Sequence, residues 1–106
     1  MSTEGQLKSQ VNEFLKISGR FFLRLNSGMV KSGARFIYLC PEGTADYLVC
    51  CPDPRWIELK APKGTTKRDR AEKQQAFAVM VQSLGHKHLK ATSLDEVIEF
   101  VMKEAA

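Results

Sequence analysis

The sequence predicts an α/β domain. Three stretches carry apolar residues at helical spacing, the short runs between them are rich in aromatic and β-favouring side chains, and glycine or proline marks the joints. The expected order is a helix, three or four neighbouring strands, a helix, a short strand and a closing helix. At 106 residues the chain suits a single domain with a modest core.

Thr3 and Gln6 make a capping-box pattern, and Leu7, Val11, Phe14 and Leu15 recur behind it, so a first amphipathic helix is expected to end near Gly19. Glu4 lies on the same stripe one turn before Leu7. A carboxylate there either complements the helix dipole or serves a site. Residues 20–25 (Arg-Phe-Phe-Leu-Arg-Leu) show no clean alternation and read as a strand buried on both sides. Asn26-Ser27-Gly28 turns the chain, Lys31-Ser32-Gly33 reads as a basic loop, and residues 35–40 form another strand. Pro41-Glu42-Gly43 leads into a β-hairpin of residues 45–51 and 55–61, punctuated by Pro52-Asp53-Pro54.

After a loop over residues 61–66, Thr66 with Asp69 resembles a cap for a second helix that runs to Leu84 and stops at Gly85. Phe77, Ala78, Val81 and Leu84 form its stripe. Gln74 shares that face, and an inward amide needs a partner, either a backbone carbonyl or a metal-bound water with a lysine. Residues 88–91 read as a short strand. Ser93 with Glu96 is a capping box opening a last helix whose stripe is Leu94, Val97, Ile98, Val101 and Met102.

Hydrophobic residues make up 43% and charged residues 26%, as in folded globular domains. The net charge of +4 and a pI near 9.1 are compatible with a nucleic-acid partner without requiring one. No run approaches the roughly 18 apolar residues of a membrane span, and the N-terminus has no signal pattern, so an intracellular protein without a membrane partner is expected. The cytoplasm of a bacterium or of a phage-infected host is the compartment we anticipate. Cys40, Cys50 and Cys51 are an odd set and read as reduced strand residues; with His86 and His88 they lack zinc-site spacing.

Alternation along the second hairpin strand sets Trp56, Glu58 and Lys60 on one face and Ile57, Leu59 and Ala61 on the other. A turn centred on Asp53 would place Cys51 opposite Arg55, Leu48 opposite Glu58 and Asp46 opposite Lys60. Both carboxylates and the lysine then share a face, Asp46 on the diagonal from Glu58, and a slip of one residue would separate them. Converging carboxylates repel unless a cation lies between them, and Mg²⁺ or Mn²⁺ is the hard, oxygen-seeking ion that fits. Lys60 beside it would orient an attacking water or stabilise phosphate charge. The plain alternative is an exposed sheet face with an ordinary Glu/Lys pair. Lys63, Lys67, Arg68, Arg70 and Lys73, together with Lys31 and Arg35, are either a solvated surface or contacts for nucleic-acid phosphates.

In this order, Glu4 on a first helix, Gly43-Thr44-Ala45-Asp46, Ile57-Glu58-Leu59-Lys60 and Gln74-Gln75-Ala76-Phe77 resemble the virus-type replication-repair nuclease (VRR-NUC) domain of the PD-(D/E)XK superfamily. The resemblance covers nearly the whole chain. It implies a restriction-endonuclease-like core, a central mixed β-sheet flanked by α-helices, with Asp46 and Glu58 as metal ligands, Glu4 as a further carboxylate near the metal, Lys60 as the catalytic lysine and Gln74 beside it. The implied activity is Mg²⁺- or Mn²⁺-dependent hydrolysis of DNA. Small stand-alone members are similar to Holliday-junction resolvases acting as homodimers on branched DNA. The rival from another class is an inactive nucleic-acid-binding module on the same scaffold.

Overall fold

The computed structural model describes residues 4–25, 29–38, 40–50, 52–60 and 68–104. Among them the elements run α1 (Glu4–Ser18), β1 (Phe22–Arg24), β2 (Met29–Ser32), β3 (Arg35–Tyr38), β4 (Tyr47–Val49), β5 (Arg55–Leu59), α2 (Arg68–Ser83), β6 (Lys87–Ala91) and α3 (Leu94–Met102). Strands β1, β4, β5 and β6 lie side by side in that order. The first two pairings are antiparallel and β5 with β6 is parallel, so the sheet is mixed. A parallel neighbour needs a long crossover, which the segment carrying α2 supplies.

Helices α1 and α3 supply the apolar cover of one face. Leu7, Val11 and Leu15 recur at steps of four along α1, and with Val97 and Val101 of α3 they enclose Tyr47, Val49, Ile57, Leu59 and Ala91. The opposite face meets α2, where Phe77 packs edge-on against Trp56 at 5.1 Å between ring centroids and against His88 at 6.1 Å. Gly85, at φ +86, closes α2: its N–H donates to the Gln82 carbonyl and that of His86 to Val81, the double bond of a Schellman turn. Ser93 caps α3 by accepting from the Glu96 N–H. The Glu96 carboxylate in return accepts from the Thr92 N–H and hydroxyl, one residue before the expected partner. Thr3 and Thr66, the expected caps of α1 and α2, lie outside the described residues.

Central strand β5 carries a residue the sequence reading passed over. Arg55 is fully buried: its Nη1 donates to the carbonyls of Phe100 (2.7 Å) and Val101 (3.1 Å) and its Nε to Asp53 (2.8 Å). A cation at the C-terminal end of α3 satisfies carbonyls that lack helical partners and complements the helix dipole. The hydrogen bond from Arg55, joined by one from Lys87, holds the Asp53 carboxyl below its usual range.

Several expectations are corrected. Residues 20–25 are not a strand buried on both sides: only Phe22–Arg24 pair, β1 is a sheet edge, and Phe21 and Leu23 are exposed. Lys31 and Ser32 belong to a strand, because β2 and β3 form a two-stranded hairpin of their own around Gly33. Five strands therefore precede α2 where three or four neighbouring ones were expected, and they are divided between two sheets. Leu84 lies beyond α2 and is 64% exposed, since the helix stops one residue earlier.

The hairpin register also differs. Tyr47 pairs with Ile57, Leu48 with Trp56 and Val49 with Arg55, a shift of two residues from the expected alignment. Two prolines flank Asp53 and cannot donate to a ladder, so pairing stops at Val49 and Arg55 and the connection is longer. An even shift keeps every side chain on its expected face. Extended by one step, this register sets Asp46 level with Glu58 instead of Lys60.

Candidate active site

Asp46 stands where β4 begins. Along β5 the N–H groups of alternate residues point towards β4, and beyond the Tyr47–Ile57 pair the next of these belongs to Leu59. It donates to Asp46 Oδ2 at 2.8 Å, so the carboxylate ends the ladder and is fixed by it. Lys8, one turn along α1 from Glu4, places its Nζ 3.9 Å from Asp46 Oδ1. Even so, the Asp46 carboxyl is raised above its ordinary range, because burial outweighs that hydrogen bond and the lysine's charge.

Glu58, on β5, points to the α2 side and is only 6% exposed. Its carboxyl is pushed up to about 8, first by burial and second by the charge of Asp46. Gln74 Nε2 donates to Glu58 Oε1 at 2.6 Å, while Gln74 Oε1 is buried with no hydrogen-bond partner. Lys60 follows Glu58 on the same face, its N–H bonded to the Ala91 carbonyl, and its charge favours ionised Glu58. The structure thus brings Asp46, Glu58, Lys60 and Gln74 to one corner, where the sheet meets α2.

Gly43 secures that corner. The Thr44 N–H donates to the Pro41 carbonyl at 3.2 Å, and Gly43 takes φ +88 in the third position of the turn. A Cβ on Gly43 would lie 2.4 Å from the Lys73 carbonyl oxygen. Only glycine lets the loop before Asp46 rest on the turn of α2 that carries Gln74. Lys73 pairs with Glu42 of the same loop and with Asp69 at 3.6 Å. This lysine therefore ties loop to helix, a role different from the two expected of it, a solvated surface or a phosphate contact.

The other expected residues are less gathered. Glu4 is exposed and adds repulsion to both carboxyls, yet among the described residues no three His, Cys, Asp or Glu side chains form a ready cluster for a metal. Arg70 is exposed but near enough to favour the ionised forms of Asp46 and Glu58. Arg68, also exposed, pairs with Glu72 at 3.2 Å, and Arg35 is exposed at the start of β3. Lys63 and Lys67 lie outside the described residues, as does the side chain of Lys31. Lys8 escaped the sequence reading, although its position four residues after Glu4 puts it on the same helix face.

The donors present fit a hard divalent cation. Asp46 and Glu58 offer two carboxylates whose burial and mutual repulsion disfavour charge, and a bound cation reverses that preference. The unpartnered Gln74 Oε1 is an acceptor suited to a hydrogen of a coordinated water. Comparison with protein-family models, curated proteins and solved structures found no match. No helix among the described residues is long and apolar enough to cross a membrane.

Proposed function

We propose that this chain is a metal-dependent deoxyribonuclease with a PD-(D/E)XK core of the VRR-NUC kind, cutting phosphodiester bonds in branched DNA as a homodimer. The observation that carries the reading is the half-buried Asp46 beside the buried Glu58, with Gln74 bonded to Glu58 and Lys60 on the same face of β5. Asp46 and Glu58 would hold Mg²⁺ or Mn²⁺, with Glu4 nearby as an outer carboxylate. When bound, the ion supplies Lewis-acid polarisation of the phosphate and a more acidic water. Lys60 orients the nucleophile and stabilises charge on the phosphate, Gln74 fixes the Glu58 carboxylate, and Arg70 draws the DNA backbone towards the site.

The test is incubation of the protein with labelled four-way-junction, flap and duplex DNA in Mg²⁺ or Mn²⁺. Cleavage is expected, lost in chelator and in Asp46→Ala or Lys60→Ala variants that keep wild-type thermal unfolding. Wild-type turnover in either variant would remove that residue from the chemistry. Salt-sensitive DNA binding without product in either metal would favour the inactive module.

A further inference from the structure

Next to Glu58 lies a cavity of about 250 Å³ between α2 and edge strand β6. Its α2 wall is made by Ala71, Gln74, Gln75, Ala78 and Gln82. These positions step by 3, 4 or 7 and so share one face of the helix. A face that only covered a sheet would carry large apolar residues. This one carries two alanines and three amides, and the space an isoleucine or leucine would take is left as a polar cleft. The β6 wall is His88 and Lys90, the ladder partners of Trp56 and Glu58, so both point to the α2 side beside Glu58.

We propose that this cleft receives an unpaired nucleobase of the DNA strand whose phosphate lies at Asp46 and Glu58. The inference rests on the nuclease reading of those two residues. Glutamine amides present a donor and an acceptor side by side, the pattern that matches a base edge and not a phosphate. Burial lowers the pKa of His88, leaving a neutral ring with one donor and one acceptor, edge-on to Phe77. Lys90 is exposed, a cation placed at the mouth for the adjoining phosphate. The space equals that of about eight liquid waters at ~30 Å³ each, enough for the ten or so non-hydrogen atoms of a purine base. The shared Glu58 wall makes the cleft and the candidate active site continuous. A strand held at one places its neighbouring nucleotide at the other, so a base must leave its stack to enter.

The test uses a duplex with one unpaired 2-aminopurine, its fully paired counterpart and an abasic bulge, titrated in chelator so that no cleavage intervenes. Expected is at least tenfold tighter binding to the unpaired base than to the other two, with changed 2-aminopurine fluorescence. Ala71→Leu, which fills the cleft, and Gln82→Leu, which removes one amide, should each reduce that preference at least threefold. Both changes keep good helix formers, and unchanged thermal unfolding establishes that the variants are folded. Equal affinity for all three duplexes overturns the proposal, as does a preference that both folded variants retain. If the base preference behaves as expected but no DNA is cut in Mg²⁺ or Mn²⁺, the cleft stands and the nuclease reading fails. Metal-dependent cutting without base preference has the opposite meaning.

Discussion

Glu58 and Arg55 occupy the same strand, both buried, and each keeps a charge-bearing group out of water with different company. Arg55 has an anion beside it and two carbonyls to bond, so removing it leaves the end of α3 unsatisfied inside the protein. Arg55→Met should cost about 3–5 kcal/mol, the usual penalty for breaking a buried charged network, read as a fall in denaturation midpoint. A loss within error of zero would show that Phe100 and Val101 find other donors. Glu58 has an amide donor in Gln74 but another carboxylate as its neighbour, so the metal-free protein should be more stable without its charge. Glu58→Gln is expected to raise the unfolding temperature at pH 8 in chelator and to abolish any increase on adding Mn²⁺. A variant that still responded to Mn²⁺ like the wild type would take Glu58 out of the metal site.

At the level of elements, the turn before β4 seats the loop leading to Asp46 against the turn of α2 that carries Gln74. Gly43→Ala forces a left-handed backbone on a residue with a Cβ and drives that atom into the Lys73 carbonyl. The expected loss is at least roughly 1–3 kcal/mol of stability, with activity falling further as the loop lifts from α2. An alanine variant with wild-type stability and turnover would show that this contact does not position Asp46. The three helices, the short β6 strand and the face shared by Glu58 and Lys60 were legible because each follows from spacing. Periods of 3.6 and 2 survive small errors, and the hairpin register missed by two left every face intact. Pairing partners are not encoded in that way. Phe22–Arg24 and Arg35–Tyr38 have similar compositions, yet one joins the main sheet at its edge and the other pairs with β2, a choice made by tertiary packing. Arg55, Lys8 and the Gln/Ala face of α2 escaped for a related reason: their roles depend on what a distant segment places opposite them.

Across the whole molecule, the raised carboxyls predict how stability changes with pH. Between its ordinary value of 4.5 and about 8, Glu58 stays protonated in the folded chain while the unfolded chain has released that proton. The folded state binds more protons over this interval, so stability falls as pH rises and levels off above about 8. Asp46 acts with the same sign. Asp53 and Glu96, both lowered, act with the opposite sign but complete their effect below the ordinary carboxylate range. His88 is lowered too, so its contribution rises with pH and is complete once its unfolded value near 6.5 is passed. From pH 6.5 to 8 the carboxyls of the candidate site therefore dominate the slope. At about 1.4 kcal/mol per unit, stability in chelator should fall there by about 2 kcal/mol, or several degrees in unfolding temperature. Binding of Mn²⁺ must displace the Glu58 proton, so the stabilisation it brings should grow over the same interval. Thermal unfolding of wild type and Glu58→Gln at both pH values, with chelator and with Mn²⁺, measures both slopes. A wild-type slope of zero in chelator, or an equal slope in Glu58→Gln, would mean that the carboxyl pair is not what the metal-free fold strains against.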